Sequence, residues 1–420
     1  MPPGELAFHR LTFVPESGQV LIGRPDTDAY ALFPEDGAAL LQQLMAGLPV
    51  EEAAAWYTAV YDEPVDLEDF LTTLAELGFL RWEGEPQPSA EAPPVRFRQL
   101  GHAVFSPWAW ACYGLLAAVC TALLVRMPEI RPHPRALFFT DSLLIVQLGL
   151  LLAQLPFVFL HEAFHALAGR RIGLPSRLGI GRRLYFVVFE TSMNGLLGVP
   201  KRKRYLPFLA GMLCDTLVFC ALVVVAAVDA GSDGNLSFTG RFAIALAFTT
   251  GMRFVWQFYL FLQTDLYYVF STALGCVDLH DATRAVIRNT AARLLRMPHR
   301  TVDQEQWSDR DRAVARWYAP FAAGGVLVLI VTAVGTAVPI TVHFVDLLAG
   351  RLAHPSHPDG DFWDTVGFLV LSVIQFGLAG VVALRDRARA RRAAARPVAQ
   401  APDVAALTAA ERPYPETRAM

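Results

Sequence analysis

Leu160-His161-Glu162-Ala163-Phe164-His165-Ala166 closes a long apolar run that opens near Leu143. In an α-helix, residues four apart share a face, so His161 and His165 can present two imidazole nitrogens to one metal ion while Glu162 stays beside them. In metal-dependent hydrolases with this spacing the histidines bind zinc and the carboxylate is the general base. Phe157–Leu160 before the trio and Ala166–Ala168 after it are apolar, which predicts a place inside a bilayer and not in a soluble cleft. Ionisable groups at that depth find no water to satisfy them, so function is the default explanation for their presence.

Working outward, the chain has 420 residues, of which 54% are hydrophobic and 18% charged, and its mean hydropathy is positive. That balance predicts a polytopic membrane protein in place of two or three soluble domains. The net charge of −3 and the lack of a basic stripe interleaved with aromatics argue against a nucleic-acid partner. Met1-Pro2-Pro3-Gly4-Glu5 has no basic region leading into an apolar core, so no signal peptide is expected there. Cys112, Cys120, Cys214, Cys220 and Cys276 form no Cys-x-x-Cys pair and are expected as small packing residues.

Length and apolarity predict about six spans: Trp108–Val125, Leu143–Ala168, Leu206–Val228, a fourth within the overlong Phe242–Phe270, Tyr318–Val342 and Trp363–Leu384. Gly169–Tyr205, Arg284–Arg316 and Arg385–Arg392 are rich in Arg and Lys, whereas Asp229–Gly240 has none. The positive-inside rule then puts the basic segments and both termini in the cytoplasm of a multi-pass cell-membrane protein. The Arg126–Arg135 loop, with three arginines, fits that scheme less well.

Residues 1–95 differ in kind. Leu11–Val14 and Gln19–Ile22 around a Pro15-Glu16-Ser17-Gly18 turn read as a hairpin, with Ala29–Leu32 as a third strand. Gly37–Met45 and Val50–Tyr61 read as helices. A third starts after an Asp66 N-cap and stops at Gly78, followed by a closing strand Phe79–Trp82. The expected fold class is therefore mainly α: a polytopic helical bundle preceded by a small α+β, winged-helix-like domain. A Pro-, Glu- and Ala-rich stretch, Glu83–Pro94, ends that domain. Residues 96–107 are expected as linker, 108–384 as the membrane domain, and 385–420 as a disordered, basic cytosolic tail.

A catalytic zinc takes three protein ligands and leaves a fourth position open. Asp215 and Asp265 are both carboxylates in apolar surroundings at a depth compatible with His165, and the spacing alone leaves both open as the third ligand. Asn194 is a candidate for holding substrate. Arg253 and Gln257 belong either to a water path or to pairing between helices, and Tyr267 and Tyr268 read as interfacial anchors.

Two resemblances extend this reading. The His-Glu-x-x-His at the end of a membrane helix, the basic segment with a strand-like run Arg183–Phe189, and the later intramembrane Asp resemble the site-2-protease-like M50 intramembrane metallopeptidases over residues 105–275. The match is nearest to the peptide zinc metalloprotease branch, which often carries a PqqD-like domain. That family's third ligand lies in an Asn-Pro-x-x-x-x-Asp-Gly-Tyr-Tyr type motif. The resemblance thus implies Asp265 as ligand, with Tyr267 and Tyr268 matching, while Tyr259, Leu260 and Leu266 depart from the pattern. Residues 8–83 resemble PqqD-like domains, which bind leader peptides of ribosomally made, modified peptides. An extended peptide would then add to the hairpin edge.

Together these imply a Zn2+ endopeptidase, with Glu162 moving the proton from water to the leaving amine and zinc polarising the scissile carbonyl. Its partners would be a peptide or membrane-protein substrate and the lipid bilayer. A non-catalytic membrane protein that binds a peptide for export or immunity is the alternative from another class. A transporter is disfavoured because the spans show no inverted repeat.

Overall fold

The computed structural model describes residues 6–16, 18–81, 95–183, 186–193, 195–231, 234–297, 299, 301–304, 307–352 and 360–394. One unit is drawn from Met1–Pro94, Asn194–Arg202 and Arg389–Met420, the other from Val95–Met193 and Lys203–Ala388.

In the first unit, β1 (Thr12–Glu16), β2 (Gln19–Arg24) and β3 (Ala29–Pro34) form an antiparallel meander with Val14 opposite Leu21 and Ile22 opposite Ala31. Alternation sends Ile22 and Phe33 to one face, where they pack with Leu40, Leu41, Leu44, Leu71, Leu74 and Phe79. The helices supplying that core are α1 (Glu35–Met45), α2 (Val50–Tyr61) and α3 (Leu67–Glu76). Asp66 caps α3 by accepting from Asp69 N, and Gly78 leaves the helix at φ +69°. Tyr57 of α2 donates to Asp36 of α1 at 2.5 Å, which fastens the two helices together. The expected closing strand is a single bridge between Phe8 and Leu80, and Trp82 lies outside the described residues. On the other face the Tyr30 ring lies over Gly23, where any Cβ would overlap it, and Gly198 meets Thr12 and Tyr30. Gly195 N donates to Asp28 at 3.1 Å, so residues 195–202 fold with this sheet.

The second unit is helical apart from one hairpin. Its elements are α4 (Arg98–Val104), α5 (Pro107–Arg126), α6 (Leu143–Arg171), β4 (Arg177–Arg183), β5 (Phe186–Ser192), α7 (Lys201–Asp229), α8 (Phe238–Trp256), α9 (Asp265–Leu274), α10 (Leu279–Leu294), α11 (Asp309–Leu352) and α12 (Gly360–Ala394). Five of them are long and apolar enough to cross a membrane among the described residues: α5, α6, α7, the Asp309–Val331 part of α11 and the Gly360–Val382 part of α12. Leu115, Leu152, Val331 and Phe376 point outward from these helices. Apolar surface of that extent belongs against lipid.

Four expectations need correction. The overlong fourth span is broken: α8 ends at Trp256, a 3-10 turn covers Leu260–Leu262, Gln263 is left-handed at φ 54°, and α9 starts afresh at Asp265. With Arg241 and Arg253 in its sequence, α8 falls short of the apolarity of the other five. The expected linker holds α4, whose Gly101 lies so close to Leu167 O on α6 that a Cβ would sit 2.5 Å away. The strand-like run Arg183–Phe189 is divided between the end of β4 at Arg183 and β5 from Phe186, and β4 is the unexpected antiparallel partner of β5. Finally, α12 continues past Leu384 to Ala394, so the expected tail begins as helix; residues 395–420 lie outside the described residues.

Candidate metal centre

The site is built on α6. Ser142 caps its N-terminus by accepting from Ile145 N, and Asp364 of α12 accepts from Leu143 N at 2.8 Å and from Leu144 N at 3.1 Å. From that end His161 and His165 lie about 27 and 33 Å along the axis, at a rise of about 1.5 Å per residue, which places them near the limit of a hydrocarbon core about 30 Å thick. Below them small residues let the helices close up: Ala166, Ala168 and Gly169 on α6 and Ala210 and Gly211 on α7 are all buried.

Both imidazoles are buried, and each is held through Nδ1. His161 Nδ1 lies 3.0 Å from Asp215 Oδ2, and His165 Nδ1 lies 2.7 Å from the Pro207 carbonyl oxygen. Both partners are acceptors, so each Nδ1 donates, and in the neutral ring each Nε2 keeps its lone pair. The two Nε2 atoms face each other at 3.1 Å, and Asp265 Oδ2 stands 3.2 Å from the first and 3.3 Å from the second. Three groups that can each supply an electron pair thus converge, an arrangement that a shared metal ion relieves, as does a proton on one of the two Nε2 atoms.

The dimensions suit a small metal ion. Four ligands set tetrahedrally at about 2.0–2.1 Å from zinc are about 3.3–3.4 Å apart, close to the separations found here. Gly211 supplies a second observation. A Cβ built on it would fall 2.3 Å from His165 Nε2 and 2.4 Å from His161 Nε2, so glycine leaves open the space that both nitrogens face. His161, His165 and Asp265 could hold a metal ion together.

Asp265 reaches this point because of the break after α8. Gln257 spans the break with both ends of its amide: Nε2 donates to Asp265 Oδ2 at 2.9 Å and Oε1 accepts from Asp265 N at 3.0 Å. Thr264 Oγ1 donates to Gln257 O at 2.6 Å. These side chains satisfy backbone groups that a continuous helix would have paired, which permits irregular backbone within an apolar stretch. Asp265 opens α9, where a negative charge also suits the helix dipole.

The other sequence-predicted residues are placed as follows. Glu162 is half-buried beside His161, and its carboxylate makes no hydrogen bond with a described residue; its backbone oxygen accepts from Thr191 Oγ1 of β5 at 2.9 Å. Asp215 is on the Nδ1 side of His161, turned away from the converging Nε2 atoms. Asn194 lies outside the described residues. Arg253 and Gln257 are pairing residues, bound to Asp215 and Asp265 respectively. Tyr267 is no interfacial anchor: it is buried with Leu279, Val314 and Tyr318, while Tyr268 stacks on Phe208 at 5.5 Å. The five cysteines are free, all but Cys112 buried.

Sequence reasoning missed Gly211, the Pro207 carbonyl and the role of Gln257. Gly211 had one signal, its position four residues before Asp215 on the same helix face. The carbonyl had none. Comparison with models of known families, with curated proteins and with solved structures finds no match for this chain.

Proposed function

We propose that this chain is a membrane-embedded zinc metalloendopeptidase of the M50-like kind, cleaving a peptide bond in a peptide or membrane-protein substrate. The observation that carries the proposal is the convergence of His161 Nε2, His165 Nε2 and Asp265 Oδ2 beside Glu162, whose carboxylate bonds no described residue. His161, His165 and Asp265 hold the ion, and Asp215 is not a ligand. Zinc supplies Lewis acidity toward a water molecule and a scissile carbonyl. Glu162 takes the proton from water and delivers it to the leaving amine. The apolar shell of α6 and α7 limits bulk water at the site, so each charge there acts more strongly than in solution.

The first unit is the recognition module in this proposal, PqqD-like or more broadly winged-helix-like. It recruits an extended peptide by strand addition at an edge of its three-stranded sheet, as in maturation of ribosomally made peptides. The basic segments and both termini face the cytoplasm of the cell membrane in this proposal, with α8 as a sixth, less apolar crossing beside the other five.

Metal analysis of the purified full chain tests the proposal together with cleavage of a fluorogenic peptide library. Wild type and Glu162→Gln are expected to carry near-stoichiometric zinc, His161→Ala none, and only wild type to cleave. Undiminished cleavage by Glu162→Gln removes the proposed base. Metal-free wild-type protein favours a peptide-binding membrane protein instead.

A further inference from the structure

Arg253 on α8 is an arginine within an apolar helix, and its guanidinium is spent almost entirely on one acid. Its Nε lies 3.1 Å from each oxygen of Asp215, its Nη2 lies 2.5 Å from Oδ1, and its Nη1 donates to Gln154 Oε1 of α6 at 3.0 Å. Gln154 in turn donates to Thr249 Oγ1 of α8 at 2.6 Å. Asp215 is 1% exposed, and the last direction open to its Oδ2 is taken by His161 Nδ1. One chain of hydrogen bonds therefore runs from α8 through α7 to the first histidine on α6.

From this geometry we infer that Arg253 and Asp215 are a positioning pair whose task is to fix which nitrogen of His161 faces the metal. The inference rests on the metal-site proposal above and adds residues to it. A carboxylate already accepting from a guanidinium is an acceptor only, so His161 donates through Nδ1, and the neutral ring that binds an ion then carries its lone pair on Nε2. The other tautomer would put an N–H on Nε2, against Nε2 of His165, and forfeit the Asp215 bond, and a half-turn of the ring would put C–H groups at both places. His165 has a neutral backbone carbonyl in the same role, whereas His161 has a charge-assisted partner. The cost of burying Arg253 and Asp215 is offset by their mutual pairing, and removing one alone would strand the other.

The test uses the full chain in detergent with zinc and cobalt(II) as probes. The double variant Asp215→Leu/Arg253→Met removes both charges together, so neither is left alone in an apolar interior. Its apo-protein is expected to melt as wild type does, while zinc affinity from chelator competition falls about 10–100-fold. At saturation its cobalt(II) absorption bands should match wild type, because the ligand set is unchanged. Asp215→Asn, whose amide oxygen still accepts from Nδ1, should lose less affinity. Wild-type affinity in the double variant overturns the inference, and altered cobalt bands overturn it by making Asp215 a ligand. Should the double variant fail to accumulate, undiminished affinity in Asp215→Asn overturns it equally. A wild-type protein that takes up neither metal removes the metal site itself, a distinct failure.

Discussion

Gly211 of α7 and His165 of α6 approach so closely that a single methyl at position 211 would fall 2.3 Å from His165 Nε2. The contact makes the glycine part of the site, although it contributes no ligand atom. Gly211→Ala is therefore expected to lose bound zinc. Helix propensity favours alanine by about 1 kcal/mol, but the methyl must displace both imidazoles, so the apo-protein is expected to melt at or below the wild-type temperature. Stoichiometric zinc in purified Gly211→Ala would show that the space is not used.

Three ligands drawn from α6 and α9 tie separate elements together, so metal removal should loosen the unit. A ligand present at about 100 times its Kd stabilises the folded state by about 2.7 kcal/mol. Chelator is expected to lower the melting temperature of wild type and to leave that of Asp265→Ala unchanged. An equal drop in both proteins would argue against Asp265 as a ligand.

Gln257 holds Asp265 through both its carboxylate and its backbone N–H. Gln257→Leu should keep a weakened site, with zinc affinity reduced about 10-fold or more, as for other groups that orient a ligand. Competition with a chromophoric chelator measures this. An affinity equal to that of wild type would mean the break after α8 is held by other contacts.

Asp364 reaches across from α12 to accept from Leu143 N and Leu144 N, capping the helix that carries the histidines. Asp364→Ala is expected to destabilise the helical unit by about 1–2 kcal/mol, seen as a lower melting temperature at unchanged zinc stoichiometry. No change in melting would assign the capping to Ser142 alone.

In the first unit the hydrogen bond from Tyr57 holds the Asp36 carboxyl below its ordinary value. The same bond pushes the Tyr57 hydroxyl up to about 12. A depressed carboxyl contributes stability above its unfolded value of about 3.9 and loses it as pH falls through the folded value. A raised tyrosine contributes below about 10 and loses that contribution as pH climbs through its folded value. Tyr57→Phe should therefore flatten both limbs and leave a constant deficit between them. Melts of the full chain from about pH 3 to 6 follow the acid limb, and an unchanged slope would rule the pair out as its source.

Much of the scaffold was legible because local chemistry fixes it. The strands about Val14 and Ile22, the Asp66 cap and the stop at Gly78 follow from alternation, side-chain capping and left-handed glycine. The apolar lengths of α5, α6 and α7 follow from what a bilayer demands. His161, Glu162 and His165 were legible for the same reason, since helical periodicity alone places them together. Tertiary contact decided the rest. Asp215 and Asp265 are alike in type and in the apolarity of their neighbours in sequence, and what separates them as ligands is which imidazole nitrogens they meet, a matter of how α7 and α9 dock on α6. The break before Asp265 hides in an apolar run because a single glutamine and a threonine replace the lost backbone bonds. The space beside Gly211 exists only when two helices meet.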